Sequence, residues 1–211
     1  MSGDENLLNA FKEGKDIHQV TAEFIFGKKD ISVQERKFAK AVNFGVIYGI
    51  SPFGLSQMIP ISQKDAKIYI DKFYENYPKV RAFYDETIQN CEKNGYVETI
   101  FGRRRYIGGI NDRNSIIKKA AEREAINMPI QGTSADIIKL AMIRIAEFLK
   151  RGNYRSQMLL QVHDELVFNI VPEEKETLQK EISHIMEHVL EDAPIPLKVD
   201  AAFGKNWKEC K

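Results

Sequence analysis

Apolar residues recur along most of this chain at spacings of three and four, the period of a helix with one buried face. Residues 6–26 carry that pattern with a break at Gly14, and Asp16-Ile17-His18 reads as a fresh start with Asp16 as N-cap. Residues 27–30 read as a turn. The pattern returns over residues 33–48, where Val33, Ala39, Val42, Val46 and Ile47 are the apolar set. Gly49, Pro52 and Gly54 then break it. Ser62 opens another helix in a capping arrangement with Asp65, and Ala66, Ile70 and Phe73 line one of its faces. That helix is expected to stop near Tyr77-Pro78, and the next to run from Lys79 to about Asn94.

The period changes at Gly95. Residues 96–100 and 103–107 read as two short strands around a turn at Gly102. Residues 115–132 are helical except at Pro129, and Ser134 is expected to cap a separate helix through Leu149. The run from Gln157 to Ile170 has the apolar density of a buried hairpin, with acids at its middle. Pro172 starts a helix to about Leu190, and residues 197–203 alternate like a last strand. The expected fold class is α+β.

Composition narrows the classes. The 211 residues hold 31 Lys and Arg against 30 Asp and Glu, which excludes a wholly basic nucleic-acid coat. Hydrophobic residues make up 43%, too many for a disordered chain. No apolar run approaches the ~18 residues of a membrane span, and the N-terminus lacks the pattern of a secretory leader. Two cysteines, Cys91 and Cys210, are too few for a disulfide framework. These features together imply a soluble protein of a reducing compartment, with no membrane partner. Charge is uneven, however. Residues 103–123 carry seven bases and two acids, and residues 173–192 carry seven acids and two lysines. Either block reads by default as a solvated face. The triplet Arg103-Arg104-Arg105 beside a basic helix also suits a phosphate backbone.

One helix holds the sharper signal. Arg36, Lys40, Phe44 and Tyr48 follow at steps of four. Each step advances about 6 Å and drifts about 40°, so the four form one slanted stripe. Two cations suit a polyphosphate, and two rings beyond them suit a sugar and a base. Taken alone, the stripe equally fits an amphipathic helix with a snorkelling polar edge. The aromatics share the stripe with the cations, however, and Gly45 and Gly49 beside them would let another group approach the backbone.

The pattern Arg36-x3-Lys40-x3-Phe44-Gly45-x2-Tyr48-Gly49 resembles the nucleotide-binding helix of the fingers in family A DNA polymerases, the bacterial DNA polymerase I group. Three more segments agree in order. Asp16-Ile17-His18 resembles the segment whose histidine reaches the nucleotide phosphates. Residues 123–136, with Arg123, Asn127, Pro129, Gln131 and Gly132, resemble the stretch that follows the primer–template minor groove. Gln161-Val162-His163-Asp164-Glu165 resembles the palm hairpin that carries a catalytic carboxylate.

The resemblance implies template-directed DNA synthesis, in replication and repair, by a mostly helical fingers region and a palm remnant containing a small antiparallel sheet. Residues 1–15 would belong to the palm side, 16–112 to the fingers and 113–211 to the palm. His18, Arg36 and Lys40 would hold the triphosphate of a dNTP, Phe44 would face its sugar, and Tyr48 would pack at the templating position. Arg123, Asn127 and Gln131 would hold primer–template DNA, with Arg103 and Arg104 on its backbone. Catalysis would rest on Lys40 and on Asp164, a ligand to one of two Mg²⁺ ions, with Glu165 as a looser helper; His163 would touch the primer end. The residues also allow plainer readings: Glu165 as a solvent-facing acid, His163 as a packed strand-end histidine, and Asn127 as a helix-end amide near Pro129.

The family's first carboxylate motif is expected just upstream of Ser2, so the chain would be a C-terminal piece and inactive or nearly so alone, with a sheet edge open to self-association. The setting would be bacterial cytoplasm or an organelle of bacterial descent. Two other classes compete. One is a non-catalytic module that binds primer–template and nucleotide. The other is a zinc peptidase through His184-Ile185-Met186-Glu187-His188, an H-x-x-E-H pattern. On a helical wheel both histidines fall away from the apolar arc of Leu178, Ile182, Ile185 and Met186, which weighs against a cleft.

Overall fold

The computed structural model describes residues 1–210. In chain order the elements are α1 (Glu5–Lys12), α2 (Ile17–Phe26), α3 (Val33–Ile47), α4 (Pro52–Met58), α5 (Gln63–Asn76), α6 (Pro78–Asn94), β1 (Tyr96–Glu98), β2 (Arg104–Tyr106), α7 (Ser115–Arg151), β3 (Gln157–Val162), β4 (Glu165–Asn169) and α8 (Lys175–Glu187), with single 3₁₀ turns at Pro172–Glu174 and Trp207–Cys210. The class is α+β, mostly helical, with two separate antiparallel hairpins, β1–β2 and β3–β4. No helix among the described residues is long and apolar enough to cross a membrane.

The chain forms two compact units, residues 1–131 and 132–211. Compactness thus divides it inside α7, a different partition from the functional one expected above, which it does not decide. In the first unit, Ile25, Val42, Val46, Leu55, Ile70, Phe73 and Tyr77 share a core with Ile126. A second cluster joins Cys91, Val97 and Ile107 to Ala121, Ala125 and Met128. The N-terminal segment is fastened here as well. Asp4 is buried, caps α1 at the Leu7 N–H and accepts from the Lys79 N–H at 3.0 Å. In the second unit, Ile145 and Leu149 of α7 pack on Leu178 and Ile182 of α8, with Leu166, Phe168 and Ile170 laid against them.

Local chemistry sets most boundaries. Asp16 accepts from the N–H groups of His18 and Gln19, so α2 starts where the N-cap pattern puts it. Ser32 and Glu35 close a reciprocal capping box on α3. Ser62 accepts from the Asp65 N–H and donates its hydroxyl to the Asp65 carboxylate.

Three expectations change, and one helix is added. Gly49 and Pro52 do end α3, but a short helix that the pattern did not give follows at once: Pro52 stands at the first turn of α4, where its missing N–H costs nothing, and Leu55 anchors the helix in the core. Ser134 caps nothing, because α7 runs unbroken through Pro129. A proline in a helix interior forfeits a hydrogen bond, at about 3 kcal/mol. Ala125, Ile126, Met128 and Pro129 are all buried, and that packing offsets the loss.

The β3–β4 hairpin is less buried than its composition implies. Leu159 and Leu160 are half exposed, at 54% and 49%. Leu159 is an extra residue in the ladder, since Met158 pairs with Phe168 and Leu160 with Val167. Residues 197–203 form no strand. Alternation supplies a face but not a partner edge, and no strand in the described residues pairs with this segment.

Candidate functional site

The slanted stripe on α3 exists and faces outward. Arg36, Lys40, Phe44 and Tyr48 are exposed, whereas Ala39, Val42, Asn43 and Val46 are buried on the opposite side. Val33, expected with the apolar set, is 88% exposed because it sits in the first turn beyond the core. The rings stay half exposed, Phe44 at 46% and Tyr48 at 43%, so the helix presents flat apolar surface next to charge.

α2 brings His18 to the same face. Its imidazole lies 5.7 Å from the Phe44 ring centroid at 43°, and the Lys40 ammonium sits 5.8 Å over that ring. Arg36 forks onto Asp16, donating from Nε at 2.7 Å with Nη2 at 2.6 Å from the same oxygen. Burial works to raise the Asp16 carboxyl, but Arg36 and the His18 and Gln19 N–H groups outweigh it and hold the carboxyl below its usual range. Burial also pushes the His18 imidazole down; Asp16 opposes this, and Arg36 and Lys40 add to it. The result is a neutral donor–acceptor ring between two cations and one carboxylate, a surface that suits an anion.

The glycines act differently from the expectation. A Cβ on Gly45 would meet Ile50 Cγ2 at 2.8 Å, so the space beside Gly45 is filled by the protein itself. Gly49 has φ +67°, and a Cβ there would touch Arg123 Cγ at 3.2 Å. The close approach is thus internal. It brings Arg123 of α7 against the end of α3.

Because α7 continues, Arg123, Asn127 and Gln131 fall on one side at steps of four, with Arg123 and Gln131 exposed. Asn127 is therefore no helix-end amide. Its Oδ1 is buried without a hydrogen-bond partner. The basic block is also less naked than its charge count. Arg104 pairs with Glu98 at 3.0 Å and stacks on Tyr96, Arg105 pairs with Glu124, and Lys118 pairs with Glu92 at 2.7 Å. These three acids lie outside residues 103–123, beyond the reach of a local charge count.

In the second unit, Val162 pairs with Glu165, which leaves His163-Asp164 as a two-residue turn at the hairpin tip. His163 has φ +55° and is exposed, so it is not a packed strand-end histidine. Asp164 and Glu165 are exposed too, and the turn removes the strict alternation that would oppose them. Among the described residues no three His, Cys, Asp or Glu side chains converge on a metal position. Asp164 offers one hard oxygen donor, which is not a site by itself.

His184 and His188 lie on the exposed side of α8, their rings 4.1 Å apart, and His188 Nδ1 meets the His184 carbonyl at 2.9 Å. The depression beside His184 is lined by α8 alone, so it lacks the second wall of a zinc cleft.

The family model for DNA polymerase family A matches residues 1–209. The chain belongs to DNA polymerase family A. It is 46% identical to DNA polymerase I of Streptococcus pneumoniae over 214 residues, covering all of this chain and 24% of that protein. It is 46% identical to DNA polymerase I of Bacillus subtilis and 42% to the thermostable enzyme of Thermus aquaticus, again over its full length, against 24% and 25% of theirs. The fold superposes with TM-score 0.92 on the POL domain of Pol1 from M. smegmatis in complex with DNA primer-template and dNTP, at 35% identity, covering 99% of this chain and 37% of that one. The chain thus spans about a quarter of the length of these curated relatives.

Two residues around this exposed face make contacts that the sequence motifs do not show. Asp16 fits the pattern of a helix cap, yet the same carboxylate holds Arg36. Asn43 is 4% exposed and lies against His18. The sequence signal for Asn43 is a polar residue inside the apolar arc of α3.

Proposed function

We propose that this chain is the nucleotide- and DNA-facing part of a polymerase that transfers a nucleotidyl group from a dNTP to a primer 3′-hydroxyl under template direction. The observation that carries the reading is the exposed stripe Arg36, Lys40, Phe44 and Tyr48 with His18 tilted against it. Arg36 and Lys40 neutralise the triphosphate, Arg36 as a planar fork and Lys40 as a point charge. His18 adds a neutral hydrogen bond. Phe44 offers its face to the sugar, and Tyr48 packs at the templating position. Lys40 is the catalytic cation, because charge on the transferring phosphoryl group grows toward the transition state.

Arg123, Asn127 and Gln131 follow the minor groove, whose acceptors are nearly alike for all base pairs. That suits a sequence-neutral enzyme. Arg103 and Arg104 touch backbone phosphate, and His163 the primer end. Asp164 contributes one ligand, with Glu165 as helper, to Mg²⁺ held jointly with carboxylates beyond those in this chain. Such ions polarise phosphoryl oxygens and acidify a hydroxyl. In this assignment residues 16–112 serve as fingers, with 1–15 and 113–211 on the palm side. Alone, the chain binds primer–template and nucleotide without turnover.

The test is a chimera in which this chain replaces the matching quarter of Bacillus subtilis DNA polymerase I. It should extend a primer with Mg²⁺, and Lys40→Ala should cut kcat/KM for dNTP by roughly 10²-fold or more. Unchanged kinetics in a folded Lys40→Ala chimera would overturn the assignment.

A further inference from the structure

We propose that Asn43 is the positioning residue of this site, fixing the His18 ring as the tautomer that presents Nε2–H to a phosphate oxygen; the phosphate half rests on the function proposed above. Asn43 lies on the buried side of α3, 4% exposed, one residue before Phe44 on the stripe. Its Nδ2 sits 3.4 Å from the Ile17 carbonyl oxygen and 2.9 Å from His18 Nδ1. A carbonyl oxygen only accepts, so the Ile17 carbonyl fixes which end of the Asn43 amide faces α2. Turned over, the amide would set oxygen against oxygen. The end that faces Ile17 therefore also faces His18, and it is a donor. His18 Nδ1 must then accept, and the ring proton must reside on Nε2. The chain of constraint runs from a backbone carbonyl through a buried amide to the far nitrogen of the imidazole.

The arrangement is poor as simple packing. The Asn43 Oδ1 is buried without a partner, a penalty that leucine of similar volume would avoid. The groups facing His18 are Asp16 on α2 and Arg36 and Lys40 on α3. Burial first, with Arg36 and Lys40 adding to it against Asp16, disfavours an imidazolium, so a fixed neutral tautomer is how this ring can supply a donor. Phe44 lies against one side of the ring, with the centroids 5.7 Å apart.

The experiment is ¹⁵N–¹H NMR of the histidine side chains in the full 211-residue chain. At neutral pH, His18 should show a protonated Nε2 and an unprotonated Nδ1. In Asn43→Leu the two tautomers should mix. In Asn43→Asp a carboxylate replaces the donor, so the His18 pKa should rise by about one unit or more, with the backbone spectrum otherwise unchanged. A wild-type Nδ1–H tautomer, or a His18 indifferent to both substitutions in folded protein, overturns the inference. Inorganic triphosphate separates the two claims. A shift of the His18 Nε2–H signal on titration, weakened in Asn43→Leu, supports the whole proposal. A correct tautomer with no response to triphosphate overturns the phosphate half and leaves the Asn43–His18 coupling in place.

Discussion

Phe44 and Gly45 are neighbours with opposite surroundings. Phe44 is half exposed, whereas Gly45 is buried against Ile50. An alanine at 45 would sit 2.8 Å from Ile50 Cγ2, a methyl on a stiff β-branched side chain that cannot swing away. Gly45→Ala should cost about 1–3 kcal/mol in urea denaturation, and Ile50→Ala should suppress much of that cost in a double-mutant cycle. At position 44 the resemblance allows Phe or Tyr. A phenol there can stand in for the 3′-hydroxyl of a nucleotide that lacks one. A polymerase carrying this segment should therefore discriminate against dideoxynucleotides, and Phe44→Tyr should relax that; competition between the two nucleotide types measures it.

Helix starts separate true caps from apparent ones. Ser62 accepts from the Asp65 N–H at 3.1 Å, whereas Ser134 lies inside α7, where no orphan N–H needs it. Ser62→Ala should cost about 1 kcal/mol by thermal or urea unfolding, and Ser134→Ala should stay within about 0.5 kcal/mol of wild type. The α3 box adds a pH dependence. The Ser32 N–H, the Lys28 ammonium and the Ser32 hydroxyl hold the Glu35 carboxyl down at about 2, against an ordinary 4.5. A carboxyl depressed in the folded state stabilises above its unfolded pKa and loses that contribution as pH falls through the folded one. Between about pH 4.5 and 2, wild type should therefore lose stability more steeply than Glu35→Gln, as followed by helical circular dichroism during acid titration.

For the whole molecule, electrostatics forecasts weak DNA binding and no turnover. Three of the seven bases of the 103–123 block are tied to Glu92, Glu98 and Glu124, so fewer cations there release counterions than the charge count implies. Affinity for primer–template should fall with salt at a slope of about −0.9 per phosphate neutralised, which fluorescence anisotropy between about 50 and 200 mM salt would read. Under the proposed assignment Asp164 supplies only one of the ligands that two ions need, so primer extension with Mg²⁺ by this chain alone should be absent. Robust extension would require Glu165 to act as a second metal ligand beside Asp164.

What the sequence determined by itself was governed by neighbours in the chain. Asp16, Ser32 and Ser62 start their helices as their side chains dictate, since a cap satisfies N–H groups two or three residues away. The stripe on α3 and a hairpin with acids at its middle were equally legible, because helical and strand periods fix which residues align, whereas the pairing of Val162 with Glu165 is what put the turn at His163-Asp164. Tertiary structure decided the rest. Pro129 should end a helix on propensity alone, yet buried neighbours carry α7 past it. Residues 197–203 alternate like a strand, yet pairing needs an edge that local pattern cannot provide. Three bases of the 103–123 block lose much of their free charge to acids from outside it. Asn43 became part of the site only when α2 laid His18 and the Ile17 carbonyl against it. Local preferences are worth about 1 kcal/mol each, or about 3 kcal/mol for an interior proline, and burial of several side chains outweighs them at Pro129.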